Sequence, residues 1–95
     1  MSNPYSKHTD KLFEGILKLE TVEDCYKFFG DLCTVNEILS MTQRFEVACE
    51  LKDGKTFAEI SKESGASTAT ISRVNRCLTY GNGGYDVILE KMEKE

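Results

Sequence analysis

The stretch Thr56–Arg76, TFAEISKESGASTATISRVNR, decides the fold. It predicts two short helices joined by a tight turn, a helix-turn-helix. Thr56 is placed to N-cap the first helix, and Glu59 then completes a capping box. Ile60 faces inward from that helix. Gly65 falls in the turn, where the backbone needs a positive φ and a Cβ would cost energy. Ala66 is small enough to pack beside it. Ser67 or Thr68 caps the second helix. Ile71, Val74 and Leu78 then recur at helical spacing and point to the core. Thr68, Ala69, Thr70, Ser72, Arg73 and Arg76 are left for the outer face. Short hydroxyls, a methyl group and guanidiniums are what a helix set into a DNA major groove presents.

A plain αα-hairpin inside a bundle has the same order of helix, glycine and helix. Two features argue against it. The turn is very short, which favours a steep crossing over an antiparallel pair. The second helix is also rich in β-branched and hydroxyl residues, poor fillers for a merely solvated face.

Outward from this motif the periodicity predicts helices throughout and no strand. Leu12, Phe13, Ile16, Leu17 and Leu19 form an apolar stripe over Thr9–Leu19. Thr21 caps a second helix, on which Val22, Cys25, Tyr26, Phe28, Phe29 and Leu32 make a broad apolar surface. A helix apolar on more than one face is buried on more than one face. Thr34 and Glu37 open a further segment as a capping box, with Ile38 and Leu39 in its short first part. Ser40-Met41-Thr42 reads as a break, with Thr42 capping a separate helix lined by Phe45, Val47, Ala48 and Leu51. Asp53-Gly54 stops that helix. After the helix-turn-helix, Gly81–Gly84 reads as a connecting loop. Tyr85–Lys94 forms a last helix with Val87, Ile88 and Met92 inward. The first and last few residues are expected to be disordered.

Ninety-five residues with a 40% hydrophobic fraction make one domain, residues 1–95, with a thin core that gains from dimer burial. No 18-residue apolar run is present, so no membrane span is expected. MSNPYSKHTDK has no apolar stretch behind a basic one, so no secretory signal and a cytoplasmic protein are expected. Cys25, Cys33, Cys49 and Cys77 contain no C-x-x-C pair, so neither a disulfide framework nor zinc is expected. Cys25, Cys33 and Cys49 lie among apolar neighbours and read as buried thiols. His8, alone near the N-terminus, reads as a solvated side chain.

The net charge of −4 is unexpected for a partner of DNA. Its distribution resolves this. Lys52–Tyr80 holds five basic residues (Lys52, Lys55, Lys62, Arg73, Arg76) and three acidic ones (Asp53, Glu59, Glu63), a balance of +2. The rest of the chain holds 7 basic and 13 acidic residues, a balance of −6, and Ser64–Tyr85 holds no acidic residue. The positive surface is local, which predicts modest non-specific affinity because phosphate contacts dominate that term.

The long helix ending LKDGK, the GASTATISR turn and recognition helix, and the LTYGNGGY loop resemble the Trp repressor family, and within it the YerC/YecD branch. The resemblance runs from about Val22 to Met92 and is most specific at Gly65-Ala66 and Ala69-Thr70-Ile71-Ser72-Arg73. It implies an all-α protein of about six helices, an intertwined homodimer that represses transcription on double-stranded DNA. DNA-facing positions carry over as Ser61, Thr68, Ala69, Thr70 and Ser72. Lys62, Ser67, Arg73 and Arg76 complete the expected contact set. In the family two arginines sandwich the indole of L-tryptophan. One matches Arg73. The other falls on Gln43, which has no charge and cannot stack as a guanidinium does. Val74 stands where the family has an indole-lining glycine, and extra carbons in a packed slot cost about 1–3 kcal/mol. Gln43, Arg73 and Val74 thus mark a candidate effector pocket that disfavours L-tryptophan and leaves a different small molecule, or none.

The competing reading is a protein-interaction module whose helix-turn-helix docks on another protein, as the acidic remainder allows. The acid-free Ser64–Tyr85 stretch favours phosphate instead. An enzyme is not expected: the chain shows no nucleophile–base pair, metal cluster or cofactor motif, and Gly81–Gly84 lacks the G-x-x-x-x-G-K-[ST] phosphate-loop pattern.

Overall fold

The computed structural model describes residues 6–94, and within them the chain is six helices without a strand. They are α1 (Lys7–Ile16), α2 (Val22–Leu32), α3 (Val35–Lys52), α4 (Phe57–Ser64), α5 (Thr68–Tyr80) and α6 (Gly84–Glu93). The terminal residues expected to be disordered lie largely outside the described residues. The chain divides into two compact units, one up to Val35 and one from Asn36 onward.

The first unit holds α1 and α2. Ser6 caps α1 by accepting from the His8 and Thr9 amides at 3.2 and 3.3 Å. Thr21 caps α2 by accepting from the Asp24 amide at 3.0 Å. Phe28 and Phe29 meet edge to face, with ring centroids 5.4 Å apart. Neither helix has a buried residue. Leu12, Phe13 and Leu17 of the expected inward stripe are exposed, as are Val22, Tyr26 and Leu32. The sequence period is right, but within this unit the two helices bury no side chain fully. Helix α1 also starts earlier than Thr9, behind the Ser6 cap, and stops earlier than Leu19, because the Lys18 and Leu19 amides bond three residues back, to Gly15 and Ile16.

The second unit carries the core. Val47 and Ala48 of α3, Ile60 of α4, Ala66 in the turn, and Ile71 and Val74 of α5 are fully or almost fully buried. Leu51, Leu78 and Tyr85 pack around them. Helix α3 corrects the expected break at Ser40-Met41-Thr42. It runs unbroken, and Thr42 Oγ1 donates to the Ile38 carbonyl at 2.8 Å. A threonine can satisfy its hydroxyl one turn back as readily as it can cap, and here it does so. Lys52 pairs with Asp86 at 2.8 Å and the Phe45 and Tyr85 rings approach to 6.5 Å, so α6 is tied to α3.

Two further expectations change. Val87, Ile88 and Met92 are about half exposed, at 52%, 48% and 53%, because α6 meets the core through Tyr85 and leaves these side chains uncovered. Cys25, Cys33 and Cys49 are half-buried, not buried, since the thin core closes over none of them. At Gly81 a Cβ would collide with the Cys77 backbone carbonyl. The loop after α5 therefore needs glycine there for close approach, beyond simple connection.

Candidate nucleic-acid interface

The helix-turn-helix is built from its caps inward. Thr56 Oγ1 accepts from the Glu59 amide at 3.2 Å, and the Glu59 carboxylate accepts from the Thr56 amide at 3.0 Å. The expected capping box is present, and the Thr56 backbone bond holds the Glu59 carboxyl below the usual carboxylate range. Gly65 ends α4 in the left-handed region, at φ 74 and ψ 5. Of the two capping candidates for α5 it is Ser67 that serves, accepting from the Thr70 amide at 3.2 Å.

The turn is braced by side chains whose role the sequence does not announce. Ser64 Oγ donates to the Ile60 carbonyl at 2.6 Å and accepts from the Ala66 amide at 3.1 Å. Ser61 Oγ donates to the Ala66 carbonyl at 3.1 Å. Gln43 Nε2 reaches from α3 to the Ser64 carbonyl at 3.4 Å. Backbone groups in so short a turn have no helical partners, and these hydroxyls supply them. The angle between α4 and α5 is thereby fixed by hydrogen bonds as well as by the Ile60–Ile71 core.

On that frame α5 presents Thr68, Ala69, Ser72, Arg73 and Arg76 to solvent, with Thr70 half-buried. Lys62 of α4 is exposed, and Ser61 is half-buried with its proton already given to Ala66. The local charge is narrower than the count suggests. Lys52 is paired with Asp86, and Lys55 lies 2.7 Å from Glu63 and 3.8 Å from Glu50. Among the described residues no ion pair engages Lys62, Arg73 or Arg76, and these carry the positive face. The Lys55 contact holds the Glu63 carboxyl low, while burial, then the neighbouring Glu63, pushes the Glu50 carboxyl up.

Of the candidate effector residues, Gln43 and Arg73 meet on one small cleft and Val74 does not. Val74 is 1% exposed and belongs to the core. The cleft has a volume of about 90 Å³ and is completed by Ser40, Arg44 and Thr70. Ser40 and Arg44 are legible in principle. With Gln43 they fall at i, i+3 and i+4 on one face of a helix. A helix break drawn through Ser40-Met41-Thr42 hides that pattern.

Comparison with known proteins agrees with this architecture. The family model described as Trp repressor protein matches residues 7–93. The uncharacterized protein YerC of Bacillus subtilis (strain 168) is 54% identical over 88 residues, covering 93% of this chain and 85% of YerC. A crystal structure described as that of a candidate Trp repressor from Staphylococcus aureus superposes with a TM-score of 0.91 at 56% identity, covering 96% of this chain and 91% of the other. The crystal structure of a TrpR-like protein from Eubacterium eligens ATCC 27750 gives a TM-score of 0.89 at 51% identity, covering 93% of this chain and 91% of the other. With the fold, the helix-turn-helix and the family model all in agreement, the chain belongs to the Trp repressor family.

Proposed function

We propose that the protein is a sequence-specific DNA-binding transcriptional regulator of the cytoplasm, a repressor, that sets α5 into the major groove as a homodimer. The observation that carries this reading is the outer face of α5: short hydroxyls, a methyl and two guanidiniums on a rigidly braced helix, within the acid-free Ser64–Tyr85 stretch. Residues near the N-terminus of a recognition helix reach base edges. Thr68, Ala69, Thr70 and Ser72 are short, so the backbone must come close or water must bridge. Arg76, further along the helix, meets phosphate. Lys62, Ser61 and Ser67 lie beside this face, Ser61 and Ser67 acting first through the turn and the cap.

The dimer is supported by apolar surface that the single chain leaves uncovered. Leu17, Val22 and Tyr26 are 82%, 71% and 76% exposed. The second unit adds an apolar recess of about 440 Å³ bordered by Phe45, Tyr85 and Ile88. Surfaces of this kind mark protein–protein contact, and the family implies that the partner is a second copy. Residues 1–95 then act as one DNA-binding domain, and membership of a regulator family argues against catalysis.

L-tryptophan is not the co-repressor in this reading. Gln43 is committed to the Ser64 carbonyl, Val74 fills the core, and a cleft of about 90 Å³ is well below the ~300 Å³ at which small-molecule pockets begin. Calorimetry should show no saturable micromolar binding of L-tryptophan, and a saturable isotherm would contradict the assignment.

The test of the function is duplex binding by two variants over a salt series. Thr70→Ala should cost about 1 kcal/mol on the preferred site and relax preference at one or two base pairs. Arg76→Ala should weaken all duplexes alike and lower the salt slope by about one. Binding that ignores salt would favour docking on a protein. Loss of sequence preference in Arg76→Ala alone would mean that α5 is oriented otherwise.

A further inference from the structure

We propose that the carboxyl groups of Glu50 on α3 and Glu63 on α4 share one proton beside Lys55, and that this proton latches the C-terminal end of α4 to α3. Glu50 is only 9% exposed. Among the described residues its Oε2 is buried and finds no hydrogen-bond donor, and its Oε1 lies 3.8 Å from Lys55 Nζ. The lysine leans to the other carboxyl group, 2.7 Å from Glu63 Oε2. The Lys55 amide bonds to the Glu50 carbonyl at 3.1 Å, which anchors the lysine at this joint. One ammonium therefore serves two carboxyl groups that lie within hydrogen-bonding reach of each other. Two ionised carboxylates cannot hydrogen-bond, because both only accept. A proton on Glu50 removes its buried charge and makes it a donor toward Glu63, whose own charge stays paired with Lys55.

The surrounding charges favour the shared proton. Glu46 and Cys49 on the same helix, Lys55 in the connecting loop and Glu63 on α4 face Glu50. Asp53 acts on Lys55, and Glu59 acts on Glu63. Glu63 also stands in the last turn of α4, where the helix dipole disfavours a negative charge. Burial first, then the bond to Glu63, raises the Glu50 carboxyl, and Lys55 holds that of Glu63 low. The latched form keeps a proton that the released form gives up, so the latch weakens as pH rises above the ordinary carboxylate range. Without the proton a buried negative charge faces Glu63, and α4 loses its tie at the residue before Ser64. Ser64 braces the turn through the Ile60 carbonyl and the Ala66 amide, so loosening there reaches α5. This last step, control of the recognition helix by pH, rests on the DNA-binding reading.

The experiment uses the full chain with carbon-13 in its glutamate carboxyl groups, followed by NMR from about pH 3 to about pH 8. Spectra of Glu50→Gln and Glu63→Gln identify the two signals. Glu50 should titrate above the ordinary carboxylate range and Glu63 below it, with each inflection visible in the other's curve. Amide exchange in α4 should lose protection as Glu50 ionises, about tenfold for each pH unit by which Glu50 exceeds the ordinary range, while α2 stays level. Glu50→Gln keeps a donor toward Glu63 and has no proton to lose, so its α4 should stay protected throughout. Glu63→Gln, at a half-exposed position, gives an independent check: Glu50 should return part of the way to its ordinary value, with burial keeping the rest. Glu50 titrating at the ordinary value, no response of Glu50 to Glu63→Gln, or protection that falls equally in Glu50→Gln overturns the proposal. Duplex binding over the same pH range tests the reach to α5. Affinity should fall with Glu50 ionisation in the wild type and not in Glu50→Gln, and a level wild-type affinity overturns that step. Absence of duplex binding at every pH would instead defeat the DNA-binding reading, and the titration and exchange results would stand without it.

Discussion

The α4–α5 hairpin and the α1–α2 pair are both capped and both amphipathic, yet only the first contributes buried side chains to a core. The hairpin closes on Ile60, Ala66, Ile71 and Val74, all at most 2% exposed, and α3 seals it with Val47 and Ala48. The α1–α2 pair has caps, periodic leucines and an edge-to-face phenylalanine contact, but no fully buried residue. Local signals therefore specify that a helix forms, while burial depends on what the helix meets. Most helical stability in proteins comes from packing an apolar face, and in the proposed homodimer the partner copy supplies that packing for α1 and α2.

The sharpest way to break this contrast is at the N-terminal pair. Leu17→Asp with Tyr26→Asp replaces two highly exposed side chains, and in a monomer such surface changes are nearly neutral, within about 0.5 kcal/mol. If the pair is a dimer surface, sedimentation should show a monomer, and affinity for a twofold site should fall about 10²–10⁴-fold as the second half-site is lost. A wild-type monomer, or an unaffected dimer in the variant, would return α1 and α2 to ordinary solvated helices.

Inside the hairpin the effects are smaller and local. Gly65→Val should cost about 1–2 kcal/mol, the left-handed penalty for a residue with a Cβ. Nothing lies within 4 Å of the added Cβ, so the cost is conformational and Gly65→Ala should show most of it. Thr56→Ala should cost about 1 kcal/mol through the lost cap. Urea unfolding of all three variants checks the order, and an unchanged midpoint for Gly65→Val would contradict the turn.

Smallest is a pair of opposite pH effects across the joint between α3 and α4. The Glu50 carboxyl is raised by burial first, so the folded state keeps a proton that the unfolded chain releases, and its contribution falls as pH rises through that raised value. Glu50→Gln should therefore be relatively most stable near neutrality, with the advantage shrinking toward about pH 4. The Glu63 carboxyl is lowered by Lys55, so its contribution is present above the ordinary carboxylate range and is lost in acid. Glu63→Gln should be destabilised at neutral pH and approach the wild type as pH falls. Thermal melts at several pH values separate the two, and parallel curves would mean that burial of Glu50 and the Lys55–Glu63 contact do not set the two carboxylates apart.

The same contrast explains what the sequence reveals. The capping box, the αL glycine and the Ile60–Ile71–Val74 core are set by residues within a few positions of one another, and all are legible. The continuity of α3 is not, because Ser40-Met41-Thr42 carries a genuine cap residue whose hydroxyl instead bonds back to Ile38. That one choice also conceals Ser40 and Arg44 as neighbours of Arg73. The turn braces Ser61 and Ser64 are hidden for a related reason: a serine in a turn has several backbone partners within reach, and the sequence does not say which it takes. Exposure of Val87, Ile88 and Met92 is likewise illegible, since periodicity reports an apolar face and not its partner.

In the proposed function, two copies of this hairpin read a twofold DNA site. Selection of bound duplexes from a random pool by the purified full-length protein tests it most directly. The expected result is an inverted repeat whose half-site centres lie one helical turn apart, about 10–10.5 base pairs, with enrichment abolished in Leu17→Asp/Tyr26→Asp. An unenriched pool, or a lone asymmetric half-site bound equally well by that variant, would contradict it.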